Sequence, residues 1–226
     1  MKILAVDTAL GACSVAVLED GAVLAHRFEV MARGHAEALA PMVEAAMAEA
    51  GVAFSALDRL AVTTGPGTFT GQRVGLAFMR GLRLALKRPL IGVTTLEAMA
   101  AAALAETDAP VAAALHDARR GEVYLEAVTR DAPLLPVQVL AFGDAIALLK
   151  AALSPFAKVA LAGTAAEASA GALRAVGAEA VVSSVVQPDA LWVARLACLA
   201  PAADRPPRPL YLRPPDAKLP ARPGGK

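Results

Sequence analysis

Two apolar runs in this chain follow one plan, and that repetition restricts the fold more than any other feature. Ile3 to Val6 ends on Asp7-Thr8 with a glycine at 11, and Val111 to Leu115 ends on His116-Asp117 with a glycine at 121. Short unbroken apolar runs of this kind suit strands covered on both faces. Behind the first run, Cys13 to Leu18 and Ala22 to Val30 read as strands joined by the hairpin signal Asp20-Gly21. His35 to Ala50 reads as a helix closed by Gly51, with Leu39, Val43, Ala46 and Ala50 on one stripe and Pro41 expected to kink it. Leu60 to Thr64 is a further buried strand running into the glycine-rich loop 65–75. Val74 to Lys87 is then expected as a helix, Pro89 to Val93 as a strand and Leu96 to Ala105 as a third helix. Behind the second run, Glu122 to Val128 is a strand, and Lys158 to Ala162 runs into Gly163-Thr164 and another helix. Two coincidences in the same order mark a duplicated unit. The expected fold is α/β: two related domains, each a mixed sheet with flanking helices, at 1–105 and 106–204, with the acidic turns facing one another across a cleft.

Composition narrows the function classes. Hydrophobic residues make up 57% of the 226, and mean hydropathy is +0.52. Alanine supplies much of both, and no stretch approaches the ~20 apolar residues of a spanning helix. The N-terminal apolar run meets Asp7 after four residues, too short for a secretory signal. Cys13 and Cys198 give no disulfide framework, so no membrane role and a reducing cytoplasm are expected. Net charge is +1, unevenly spread: residues 205–226 hold six basic residues and Asp216, which gives this end +5 and the remainder −4. Seven prolines there forbid a regular helix or central strand, so a basic tail that contributes little to the fold is expected.

The loop Gly65-Pro66-Gly67-Thr68-Phe69-Thr70-Gly71 fails both common nucleotide signatures. A Walker loop needs Gly-Lys-Ser/Thr where Gly71-Gln72-Arg73 stands. The dinucleotide fingerprint needs G-x-G-x-x-G, and the third glycine is one residue late. A strand, a glycine turn, the capping threonines Thr68 and Thr70 and a helix N-terminus still make a general anion site. A tight strand-to-helix turn whose glycines permit close packing explains the same residues. Asp7, Thr8, Gly65, Gly67, Thr68, Gly71 and Asp117 are therefore the phosphate or Mg²⁺-side candidates, with turn capping as the other role for the two aspartates. His26, His35 and His116 lie on three separate elements, whereas a metal site wants three or four converging ligands. No Gly-x-Ser-x-Gly elbow is present.

ILAVDTALGACSVAVLEDG, GHAEALAPMVEAAM, TTGPGTFTGQRVGLAFMRGL, PLIGVTTLEAMA, HDARRGEVYLEAV and PLYLRPPDAK occur in this order. Together they resemble the bacterial TsaB (YeaZ) family of tRNA threonylcarbamoyladenosine biosynthesis proteins; 131–200 matches only loosely. The resemblance implies an actin- and sugar-kinase-like fold and a non-catalytic subunit. Such a subunit pairs with a TsaD-type catalytic subunit and a TsaE-type ATPase to place threonylcarbamoyl on N6 of adenosine 37 in tRNAs reading codons that begin with A. It implies no metal, ATP or ADP only within the complex, indirect contact with tRNA, and a homodimer when the partner is absent. The H-x-x-x-H metal pair of the catalytic relative reads His35-Ala36-Glu37-Ala38-Leu39 here, without its second histidine. A weak ATP-binding or ATP-hydrolysing enzyme and a tRNA-binding module acting through the tail are the competing classes. On the helix at 74–87 the expected core stripe is Val74, Phe78, Leu82 and Ala85, which leaves Leu76 and Met79 outside it, with Arg73 and Arg80 along another edge. These residues, with Glu37, Met42 and Glu44 on the helix at 35–50, make the expected docking face, where Gly75 and Gly81 would allow close approach.

Overall fold

The computed structural model describes residues 1–201 and 205–213. The first half runs β1 (Lys2–Asp7), β2 (Ala12–Glu19), β3 (Ala22–Val30), α1 (His35–Ala50), β4 (Arg59–Thr63), α2 (Phe69–Leu86), β5 (Leu90–Val93) and α3 (Thr95–Glu106). The second runs β6 (Val111–Asp117), β7 (Glu122–Thr129), β8 (Pro133–Ala141), α4 (Phe142–Ala152), β9 (Lys158–Ala162), α5 (Ala166–Ala175), β10 (Glu179–Val182) and α6 (Ala190–Leu199). The sheet orders are β3-β2-β1-β4-β5 and β8-β7-β6-β9-β10, which are the same order. In both, the first three strands form an antiparallel meander and the last two lie parallel to the central strand. The duplication expected from the paired aspartate turns is therefore a duplication of the fold.

Local chemistry accounts for the meander. Asp20 and Gly21 both have positive φ, 50° and 84°, the conformation of the hairpin turn that matches strand twist. β1 is buried from Ile3 to Asp7 because helices cover both faces of its sheet. α1 and α2 pack on one face, against Leu4, Val6, Val15, Val17, Leu60 and Val62. α6 covers the other face, against Ile3, Ala5, Ala16, Leu18 and Ala61. In the second half α4 and α5 cover the outer face of the sheet, and α3 covers the inner one. Each half thus supplies a helix to the other's sheet, and α3 and α6 touch between the two sheets. A helix in such a middle layer is apolar all round. α3 has eight buried residues among twelve, four of them alanines (Ala98, Ala100, Ala102, Ala103), and these small side chains let both sheets come close.

Three expectations need correction. α2 begins at Phe69 instead of Val74, because the Thr68 hydroxyl accepts a hydrogen bond from the Gly71 N–H and caps the helix five residues earlier. Its buried face is Gly71, Gln72, Gly75, Leu76 and Met79, while Val74, Phe78 and Leu82 are half-buried on its flank and Ala85 is exposed. Leu76 and Met79 are 2% and 0% exposed, so both belong to the core and neither can meet a partner. The cause is Gly71 and Gly75, which rotate the helix so that its smallest residues face β1. The tail is the third case: residues 207–213 pack on the body of the protein, as described below, and the rest of the basic segment, 214–226, lies outside the described residues. α1 runs through Pro41 as one helix with that proline on its exposed side. Among the described residues no helix is long and apolar enough to cross a membrane.

Candidate functional site

The parallel register of β1 with β4 places the ends of the two strands side by side, and the candidate residues gather there. Asp7 is fully buried. Its Oδ1 accepts hydrogen bonds from Thr63 Oγ1 at 2.6 Å and from the Ala9 N–H at 3.2 Å, and its Oδ2 has no protein partner. Burial pushes the carboxyl up to about 7 against the pull of those hydrogen bonds, and the Asp189 carboxylate adds to the rise.

The glycine loop closes on this turn. Thr8 Oγ1 donates to the Gly71 carbonyl at 2.7 Å and accepts from the Gly75 N–H at 3.0 Å, and the Thr68 N–H donates to the Ala9 carbonyl at 2.8 Å. A methyl added at Gly67 would stand 2.3 Å from the Ala9 oxygen, and one at Gly71 would stand 2.2 Å from the Thr8 oxygen. The backbone carbonyls of residues 8 and 9 thus pack directly against Gly71 and Gly67. Gly65, with φ 108°, turns the chain out of β4, and its carbonyl accepts from the Thr95 N–H at the head of α3. Of the two explanations of the loop, the packed strand-to-helix turn is the one this geometry matches.

The second half repeats the arrangement in reduced form. A methyl at Gly163, φ 99°, would lie 2.3 Å from the Leu115 carbonyl, as at Gly67 beneath Ala9. Asp117 is exposed; its N–H donates to Thr164 Oγ1 at 2.9 Å and its Oδ1 accepts from the Arg119 N–H at 2.7 Å. The same i to i+2 bond joins Asp7 to Ala9, so both aspartates cap the turns that follow them.

Between these turns runs a segment that sequence reasoning missed. The Leu210 N–H donates to the Thr64 carbonyl at 2.8 Å, and Pro207 packs on Gly92, where a methyl would come within 2.5 Å of it. Arg80 donates to the Pro207 carbonyl, and Arg73 Nε donates to the Tyr211 hydroxyl at 2.8 Å. Arg213 donates to the carbonyls of Ala118 (2.6 Å) and Arg119 (3.4 Å) and pairs with Glu122. Residues 207–213 thus strap the ends of β4 and β5 and the flank of α2 to the second acidic turn. The available signal was the Leu210-Tyr211-Leu212 cluster, apolar residues that a purely solvated tail has no reason to carry.

Of the docking candidates, Glu37 and Glu44 are exposed and Met42 is half-buried, while Arg73 and Arg80 are engaged by the strap. The histidines stay apart. His26 Nε2 pairs with Asp189 at 2.8 Å, His35 Nε2 lies 3.0 Å from the Leu10 carbonyl, and His116 is buried with its pKa lowered by burial. Among the described residues no three His, Cys, Asp or Glu side chains are placed to hold a metal ion.

Comparisons with known proteins give the family and the fold. The family model described as TsaD, tRNA N6-adenosine threonylcarbamoyltransferase, matches residues 28–180. The tRNA threonylcarbamoyladenosine biosynthesis protein TsaB of Escherichia coli is 44% identical over 131 residues, 58% of this chain and 56% of that protein. The match therefore spans about half the length of that relative. A crystal structure from Pseudomonas aeruginosa, described as similar to peptidase YEAZ, superposes with a TM-score of 0.74 at 33% identity, over 94% of this chain and 99% of that one. The ROK hexokinase of Thermus thermophilus shares the fold alone, with a TM-score of 0.51 at 17% identity over 86% of this chain and 98% of that one. The duplicated actin-like architecture is thus retained around a glycine loop packed shut by its own chain, and the protein belongs to the TsaB (YeaZ) family, within the wider group that the TsaD model describes.

Proposed function

We propose that this chain is a non-catalytic subunit of the complex that transfers threonylcarbamoyl to N6 of adenosine 37 in tRNAs reading codons that begin with A, and that it binds and activates a TsaD-type catalytic subunit in the cytoplasm. One observation carries the reading: the chain is 44% identical over 131 residues to the tRNA threonylcarbamoyladenosine biosynthesis protein TsaB of Escherichia coli, and its glycine loop lacks the lysine of a phosphate loop. ATP or ADP then belongs to the assembled complex, with a TsaE-type ATPase as its further member and tRNA reached through the catalytic partner. The competing weak ATPase would need a phosphate site on a glycine loop where Gln72-Arg73 stands in place of the Walker lysine.

The docking face follows from the exposed sides of α1 and α2, which lie against each other on one face of the first sheet. Glu37 and Glu44 stand seven residues apart on α1. On α2 the outward positions are Ala77, Gly81 and Leu84, and Leu84 is 73% exposed. Nothing lies within 4 Å of where a Gly81 methyl would be, so a partner's backbone can approach there. In the partner's absence the same face serves a homodimer. Size-exclusion chromatography of the chain with and without a TsaD-type protein, with ATP turnover assayed for each, is the test. Co-elution with no turnover by the chain alone is expected; turnover abolished by Asp7→Ala would restore the enzyme reading.

A further inference from the structure

Three aromatic side chains among the described residues are exposed, and two of them stand together: Phe69 at 55% and Tyr211 at 47%. Their rings are stacked, 6.0 Å between centroids and 25° between planes. The Arg73 guanidinium lies 3.6 Å over the Phe69 ring and 5.8 Å from that of Tyr211. Two residues on, Arg213 holds the carbonyl of Arg119, which sets the second acidic turn beside the rings. That turn keeps three successive residues at positive φ, Arg119 (63°), Arg120 (58°) and Gly121 (74°), a conformation L side chains rarely adopt. Arg119 is exposed there, and neither it nor Arg73 has a carboxylate partner among the described residues.

We propose that Phe69 and Tyr211, flanked by Arg73 and Arg119, form a contact surface for unpaired RNA nucleotides. The inference rests on the tRNA-modifying role proposed above and names where this chain itself touches the nucleic acid. Exposed aromatic rings accept a base by stacking whatever its identity, and arginines without a carboxylate partner among the described residues accept the phosphates on either side. The strap gives the surface its shape: the Leu210 N–H on the Thr64 carbonyl and the Arg213 fork hold the second ring and the Arg119 turn beside Phe69.

The test is fluorescence anisotropy with the complex of this chain and its catalytic partner, using an unmodified tRNA transcript and a single-stranded oligoribonucleotide containing 5-bromouracil. Phe69→Leu and Tyr211→Leu are each expected to weaken oligonucleotide binding about tenfold with the salt dependence unchanged. Arg119→Ala is expected to lower the slope of log affinity against log salt by about one. Tyr211→Phe, which keeps the ring and loses the hydroxyl, keeps the affinity. Ultraviolet crosslinks are expected at Phe69 or Tyr211. Wild-type affinity in both leucine variants, with unfolding midpoints unchanged, overturns the inference. So does release of the catalytic subunit by either variant, because the rings are then a protein contact. If the wild-type chain forms no complex, the proposed function fails instead, and the same variants on the isolated chain still decide whether the rings bind the oligonucleotide.

Discussion

Replacing Gly71 by alanine and Gly81 by alanine makes the same chemical change in the same helix, and the structure assigns the two opposite signs. At Gly81 the new methyl meets nothing within 4 Å, so the substitution gains the helix propensity difference, up to about 1 kcal/mol. At Gly71 it would stand 2.2 Å from the Thr8 carbonyl oxygen and 2.6 Å from Thr68 Oγ1. Neither neighbour is a flexible side-chain end. α2 must move away from the turn at residues 7–9, which strains the Thr8 to Gly71 and Gly75 hydrogen bonds as well as the packing. Overpacking costs about 1–3 kcal/mol, and a weakened buried hydrogen bond adds about 1 kcal/mol. Less the propensity gain, Gly71→Ala should destabilise by roughly 1–3 kcal/mol. Urea unfolding followed by circular dichroism measures both variants: the midpoint is expected to fall for Gly71→Ala and to rise for Gly81→Ala. If Gly71→Ala unfolds at or above the wild-type midpoint, the loop has room at residue 71 and is not closed by its own chain.

Protonation supplies a second expectation. Burial holds Asp7 and Glu126 each at about 7, well above their ordinary values, so the folded state keeps protons that the unfolded chain has released. Their contribution is complete below the unfolded values and is lost as pH rises through about 7, at up to about 1.4 kcal/mol per pH unit for each group. Buried His116 works in the opposite direction on its acid side, so the difference between wild type and Asp7→Asn isolates Asp7; the variant's stability should fall less steeply between pH 4.5 and 7.5. Arg213→Ala removes the fork on Ala118 and Arg119 and should speed amide hydrogen exchange across residues 117–122 while costing about 1 kcal/mol. Leu84→Glu should weaken association with the catalytic subunit at unchanged stability, whereas Met79→Glu should lower stability outright by burying a charge in the core.

Eight of the ten strands, the hairpin turn and the paired aspartates were legible because each rests on local chemistry: a doubly covered strand needs an unbroken apolar run, and a tight turn needs residues that tolerate positive φ; β8 and β10, at the sheet edges, were not foreseen. The register of α2 was not legible. Its inward face is made of Gly71, Gln72 and Gly75 beside Leu76 and Met79, so a search for large apolar residues at helical spacing settled on the flank that carries Val74, Phe78 and Leu82. The exchange of α3 and α6 between sheets was hidden for a related reason, since an alanine-rich helix buried all round has no stripe to show which sheet it covers. The strap was hidden because it has no period at all: Pro207, Leu210, Tyr211 and Arg213 act singly. At the site, the close fit of the glycine loop against residues 8 and 9 had no local signal. That fit depended on the distance between two turns 60 residues apart, which no local pattern records.

Incorporation of labelled threonylcarbamoyl into a tRNA transcript tests the central claim most directly, with the TsaD-type subunit, the TsaE-type ATPase and this chain each omitted in turn. Product is expected only when this chain and the catalytic subunit are both present, and none from this chain alone. Product formed by this chain alone, or at an undiminished rate in its absence, would contradict the account.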